Sequence, residues 1–142
     1  MIAISKIFRF EAAHAIDHYP GSCSQIHGHS YQLQVAVKPN RQSQDFIPGL
    51  GMVMDFKVLK SIVQDCAIRL LDHKLLLSKS YLAKSENNFS NEELVIFDFE
   101  PTAENLLRFL KMKIVPQLPQ EILLVSLKLW ETHDSFAEWS AG

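Results

Sequence analysis

His27-Gly28-His29-Ser30-Tyr31-Gln32-Leu33-Gln34-Val35-Ala36-Val37 carries His29, Tyr31, Leu33, Val35 and Val37 at every second position, with smaller or more polar residues between most of them. Successive side chains of an extended chain point to opposite faces, so the alternation predicts a half-buried strand over residues 29–38. The same geometry turns the imidazoles of His27 and His29 to one side, with Gly28 leaving room between them. Upstream, residues 2–16 alternate in the same way, with Phe8, Phe10, Ala12 and His14 sharing a face. That face ends in a histidine where an inward aliphatic is expected. A loop with Pro20-Gly21 and Cys23 joins the two runs, which therefore read as antiparallel neighbours able to bring all three imidazoles together.

Each histidine taken singly is more often a hydrogen-bonded interior residue than a ligand, and their company is what points to a metal. Three neutral imidazoles suit zinc, and three protein ligands rather than four leave a position open for water or substrate. The pattern is that of a catalytic zinc centre on His14, His27 and His29.

Past the second strand, Pro39-Asn40, Pro48-Gly49 and Gly51 mark a turn-rich connection over residues 39–54, and Asp55 is placed to cap a helix running to about residue 72. Leu59, Ile62, Val63, Cys66 and Leu70 form its apolar face. Residues 78–93 turn polar and read as a long exposed loop. Residues 94–99 are a short strand candidate. Pro101-Thr102-Ala103-Glu104 opens a second amphipathic helix that Pro116 and Pro119 end, residues 122–133 form the last long strand, and residues 136–139 a short tail. The order is read as strand, strand, helix, helix, strand, strand. Grouped rather than alternating elements give an α+β class: an antiparallel four-stranded sheet with two helices on one face.

A chain of 142 residues, 47% hydrophobic and 21% charged, fits one soluble globular domain over residues 1–142. The formal charge of −2 has no basic run behind it, which speaks against nucleic-acid and membrane-surface partners. No apolar stretch is long enough for a membrane span and Met1-Ile2-Ala3-Ile4-Ser5-Lys6 is unlike a signal peptide, so a cytoplasmic protein is expected. Two cysteines do not make a disulfide framework. Cys66 reads as a small core residue, whereas Cys23 sits in the polar loop Gly21-Ser22-Cys23-Ser24-Gln25, where burial explains nothing.

Three further positions invite chemistry. Asp72-His73 closes the first helix; the carboxylate could orient the imidazole, or the pair could simply finish the helix, since histidine suits a helix C-terminus. Glu131 continues the face of Val125, Leu127 and Leu129, where a carboxylate is costly unless paired. It could accept two parallel hydrogen bonds from adjacent N–H donors of a ring such as a 2-amino-pyrimidinone, or the strand could already have left the core. Thr102 and Glu104 read as a cap and a favourable first-turn acid. Lys79 and Lys84 are candidate phosphate contacts or solvated loop lysines.

Together, Phe8-Arg9-Phe10-Glu11-Ala12-Ala13-His14, Cys23 through Tyr31, Gly51-Met52-Val53-Met54-Asp55-Phe56, Leu71-Asp72-His73, Pro101-Thr102-Ala103-Glu104-Asn105 and Glu131-Thr132 resemble, in order and over nearly the whole chain, the 6-pyruvoyltetrahydropterin and 6-carboxytetrahydropterin synthase family. The resemblance implies the tunnelling (T-fold) architecture, in which subunits join sheet edges into a barrel. It implies a homo-oligomer, commonly a hexamer, with sites between subunits. It further implies zinc on His14, His27 and His29, proton transfer by Cys23 assisted by Asp72 and His73, and a pterin held by Glu131 with Thr102 and Glu104 nearby.

The three residues between Cys23 and the histidine pair resemble the bacterial 6-carboxy enzymes of queuosine biosynthesis. The implied reaction is carbon–carbon lyase chemistry on 7,8-dihydroneopterin triphosphate, giving 6-carboxytetrahydropterin, acetaldehyde and triphosphate. A 6-pyruvoyl synthase or another side-chain-cleaving pterin enzyme is the alternative within the family. A non-catalytic pterin- or zinc-binding protein is the alternative outside it.

Overall fold

The computed structural model describes residues 1–21, 24–41, 44–89 and 93–142. Ile4–His14 (β1) and His27–Pro39 (β2) pair antiparallel along the whole of β1, from Ile4 opposite Val37 to His14 opposite His27. Phe8 and Phe10 stand across from Leu33 and Tyr31, and all four are buried, the rings of Phe10 and Tyr31 stacking at 4.9 Å. The alternation read from the sequence is therefore the inner face of the sheet.

Phe56–Val63 (α1) follows, capped by the Asp55 carboxylate on Lys57 N–H at 2.8 Å. It passes into a π-helical segment, Gln64–Ile68, and a last helical turn, Arg69–Leu71 (α2). The wider turn changes the expected face: Leu59, Val63, Ala67 and Leu71 are buried at every fourth position, and Leu70 is exposed. After Lys74–Ser78 (β3) and Lys79–Lys84 (α3) come Leu94–Phe97 (β4), Ala103–Ile114 (α4), Ile122–Thr132 (β5) and Ser135–Ser140 (β6).

The sheet has six strands in the order β4-β3-β1-β2-β5-β6, not four, and it is mixed: β3 runs parallel to both β1 and β4, and the other pairs are antiparallel. The expected order of elements fails in the middle, where β3 and β4 lie between the helices. Lys74-Leu75-Leu76-Leu77-Ser78 lacks alternation because the strand has neighbours on both sides and Leu76 and Leu77 are both buried, the usual signature of a parallel strand. Ser78 caps α3 by accepting Tyr81 N–H, so part of the segment read as loop is helical. The expected tail is β6, paired with β5 through a tight reversal at His133-Asp134.

One core lies between the sheet and α1, α2 and α4, filled by Phe10, Tyr31, Leu33, Leu59, Leu106 and Leu127 among others. In β5 the register to β2 slips at Val125, moving burial from Ile122 and Leu124 to Leu127 and Leu129. The face predicted through Val125 thus begins only at Leu127. Among the described residues no helix is long and apolar enough to cross a membrane.

Candidate metal centre

The antiparallel register places His14 directly opposite His27, and Ala12 opposite His29, so the three imidazoles collect at one end of the inner face. His14 Nε2 lies 3.0 Å from His27 Nε2 and 3.1 Å from His29 Nε2. The rings meet edge to face, with centroids 4.6 to 5.0 Å apart. A Cβ at Gly28 would meet only the Ala12 carbonyl, at an ordinary 3.7 Å, so room between the histidines is not what requires glycine there.

The proton positions follow from the partners. His14 Nδ1 faces the Pro101 carbonyl at 2.7 Å and His27 Nδ1 the Gln25 carbonyl at 2.8 Å. A carbonyl can only accept, so both rings carry an N–H on Nδ1, which leaves Nε2 as the ligand atom of the neutral form. His14, only 3% exposed, has its pKa lowered first by burial, an effect the Glu131 carboxylate partly opposes, and burial lowers His29 as well. Neutral rings with lone pairs converging at hydrogen-bond distance repel unless a cation lies among them. Zinc–nitrogen bonds in a tetrahedral site put ligand nitrogens roughly 3.3 Å apart, close to the two spacings from His14, and all three ligand atoms lie within 4.8 Å of one another. The donor set fits a borderline metal such as zinc, and backbone carbonyls fix the ring tautomers in the usual manner.

Glu131 follows Trp130, which stands opposite Gln32 at the end of the β2–β5 ladder, lies at an irregularity in the β5–β6 register, and its charge acts on His14, His29 and Tyr31. It belongs to the histidine end of the sheet. Tyr31, which the alternation places on the face of His29 and Leu33 without assigning it a role, puts its hydroxyl 3.4 Å from His14 Nδ1, and burial raises its pKa. A tyrosine two positions after a histidine on the same face was the available signal.

Asp72 and His73 sit elsewhere. Asp72 Oδ1 accepts Glu11 N–H at 3.0 Å and His73 N–H donates to the Glu11 carbonyl at 2.6 Å, which ties the pair to β1. His73 is held at φ 59° with its imidazole exposed, Nε2 3.7 Å from Asp72 Oδ1. It borders a depression of about 410 Å³ shared with Glu11, Gly28, His29, Ser30 and Lys74, so His73 and one candidate metal ligand line the same opening. Thr102 Oγ1 accepts Asn105 N–H as the cap of α4, and Glu104 is an exposed first-turn residue. Cys23 lies outside the described residues. Lys79 and Lys84 are each paired with a carboxylate, Asp98 at 2.6 Å and Asp17 at 3.3 Å. Either must give up that partner to hold a phosphate.

Known proteins resemble this chain over its whole length. A family profile described as "6-pyruvoyl tetrahydropterin synthase" matches residues 3–141. The 6-carboxy-5,6,7,8-tetrahydropterin synthase of Rickettsia conorii is 32% identical, covering 97% of this chain and 99% of that protein. The Haemophilus influenzae protein of the same name is also 32% identical, covering 98% and 99%. The 6-pyruvoyl tetrahydropterin synthase of Plasmodium falciparum shares the fold, with a TM-score of 0.74 at 18% identity and coverage of 97% and 96%. With a match this long in sequence and in fold, the chain belongs to the 6-pyruvoyl tetrahydropterin synthase family.

Proposed function

We propose that the chain is a zinc-dependent 6-carboxy-5,6,7,8-tetrahydropterin synthase, acting on 7,8-dihydroneopterin triphosphate with release of acetaldehyde and triphosphate in the queuosine route. The observation that carries the reading is the convergence of three Nε2 atoms with two Nδ1 atoms locked on carbonyls. The names of relatives at 32% identity direct it to the 6-carboxy product.

His14, His27 and His29 hold the ion, which when bound supplies Lewis-acid polarisation of the oxygens on the pterin side chain. Glu131, at the same end of the sheet, receives the adjacent N–H groups of the pterin ring, and Thr102 and Glu104 border that recognition region. Cys23 moves the proton, a role open to a thiol whose pKa a bound cation lowers. Asp72, fixed by Glu11 N–H, orients His73 for the same proton transfer.

The site is assembled between copies of the chain. His73 opens on a depression lined by Glu11, Ser30 and His29, an open surface that a second copy would cover. Exposed apolar side chains also support a homo-oligomer, a hexamer in this reading: Phe46 is 97% and Leu50 88% exposed, with Phe56 half-exposed nearby in sequence. Among the described residues β4 and β6 are the outermost strands of the sheet.

The test is incubation of zinc-loaded protein with 7,8-dihydroneopterin triphosphate and mass spectrometry of the products. A 6-carboxy pterin with acetaldehyde supports the proposal. A 6-pyruvoyl product, or pterin binding without turnover, overturns it.

A further inference from the structure

His14 is the deepest of the three histidines, and the nearest partner of its Nδ1 is the Pro101 carbonyl at 2.7 Å, with the Tyr31 hydroxyl farther off at 3.4 Å. Proline has no N–H with which to anchor that residue, so its neighbours must hold it. Glu100 does so in two directions. Its backbone carbonyl accepts Thr102 N–H at 2.8 Å and Asn105 Nδ2 at 3.0 Å, tying it to the start of α4. Its carboxylate Oε1 accepts the backbone N–H of Asp17 at 2.6 Å, three residues beyond His14 itself.

The Asp17 side chain is only 9% exposed, and α3 satisfies it: Ser80 Oγ donates to Oδ2 at 2.7 Å and Lys84 Nζ lies 3.3 Å from the same oxygen. Ser80 Oγ is also 3.3 Å from Glu100 Oε2, and Lys84 Nζ is 2.8 Å from His18 Nε2. A continuous run of polar contacts therefore leads from α3 through Asp17 and Glu100 to the carbonyl that sets the ring of His14. Isolated surface ion pairs contribute little, but this one shares a single carboxylate with the Ser80 hydroxyl and leads to a candidate metal ligand.

We propose that Asp17, Ser80 and Lys84 are positioning residues for the three-histidine centre, acting through Glu100 and the Pro101 carbonyl to keep His14 as the Nδ1–H tautomer with Nε2 directed at His27 and His29. The proposal deepens the zinc reading above and rests on it for the affinity measurement only; the tautomer can be read without metal.

The experiment uses the full chain with Ser80→Ala combined with Lys84→Met, which removes both α3 donors, and Lys84→Met alone in case the pair does not fold. Long-range proton–nitrogen spectra of the metal-free protein read the His14 tautomer directly. A single Nδ1–H form is expected in the unaltered chain and a mixture in the variants. Zinc affinity, measured by competition with a chromophoric chelator, is expected to fall about threefold to tenfold, less than the 10- to 100-fold typical of a direct partner of a ligand. Lys84→Arg, which keeps the cation, is expected to restore both readouts, something a loss of general packing would not allow.

Variants with native circular dichroism, an unchanged His14 tautomer and unchanged zinc affinity overturn the proposal. A tautomer change in a chain that never binds zinc supports the positioning role and removes the zinc reading instead.

Discussion

Removing His27 should separate the energetics of the metal from those of the fold. Its ring is half-buried and makes one internal hydrogen bond, Nδ1–H to the Gln25 carbonyl, so in metal-free protein His27→Ala is expected to cost about 1 kcal/mol, the net worth of such a bond. His14→Ala should cost more, about 2–4 kcal/mol, because the ring is buried and its loss leaves the Pro101 carbonyl without its donor. Zinc alters the comparison. A ligand that binds only the folded state at 100 times its dissociation constant adds about 2.7 kcal/mol. For a chain of this size that is a rise in melting temperature of roughly 5–11 °C, at about 2–4 °C per kcal/mol. Differential scanning calorimetry of both variants and the unaltered protein, with and without zinc, measures both quantities. The unaltered protein should show the rise, and both variants should lose it although they differ in metal-free stability. A full zinc-induced rise in His27→Ala would refute the three-histidine site, because two imidazoles cannot hold the ion as three do.

Glu131→Gln keeps the size of the side chain but removes its charge, and should weaken pterin binding about 10- to 100-fold, the equivalent of one charge-assisted hydrogen bond of about 1.5–3 kcal/mol. Isothermal titration with a pterin checks it, and unchanged affinity would remove Glu131 from the recognition site. Because burial lowers the pKa of His14 below its unfolded value, the unfolded chain takes up protons that the native state refuses as pH falls below about 6.5. Metal-free stability should therefore drop on acidification, with His14 contributing at most about 1.4 kcal/mol per pH unit. Urea midpoints between pH 7.5 and 5.5 should fall more steeply for the unaltered chain than for His14→Ala, and parallel curves contradict the assignment. His73→Gly relieves a left-handed backbone at φ 59°, a conformation costing roughly 1–2 kcal/mol with a side chain, partly offset by the greater freedom of glycine when unfolded. Thermal stability should hold or rise while turnover is lost; retained turnover would take the imidazole out of proton transfer.

The sequence made the histidine centre legible because it lies on an antiparallel pair, where a period of two and a simple reversal fix both face and register. Asp55 and Thr102 were legible for a similar reason: a cap is a local hydrogen bond whose partners lie two or three residues away. What the sequence concealed is non-local. The triple leucine at Leu75-Leu76-Leu77 satisfies a buried strand and a helix equally, and only the pairing of Ala12 with Lys74 and of Leu75 with Leu94 decides between them. That pairing depends on how the preceding helix ends. A π-helical segment at Gln64–Ile68 widens the last turns, so that Leu71 is buried and Asp72 meets Glu11 N–H, while the left-handed His73 turns the chain to run beside β1. Leu76 then lies opposite His14 on the β1 edge away from β2, and the strand bearing the deepest candidate ligand is held from both sides. Neither a π turn nor a positive φ at histidine has a composition signal strong enough to predict. The same few residues insert β3 beside β1 and tie Asp72 and His73 to the Glu11 backbone. An Asp-His pair that reads as an ordinary helix ending is, in three dimensions, the joint that sets both the sheet order and the position of the candidate proton-transfer pair.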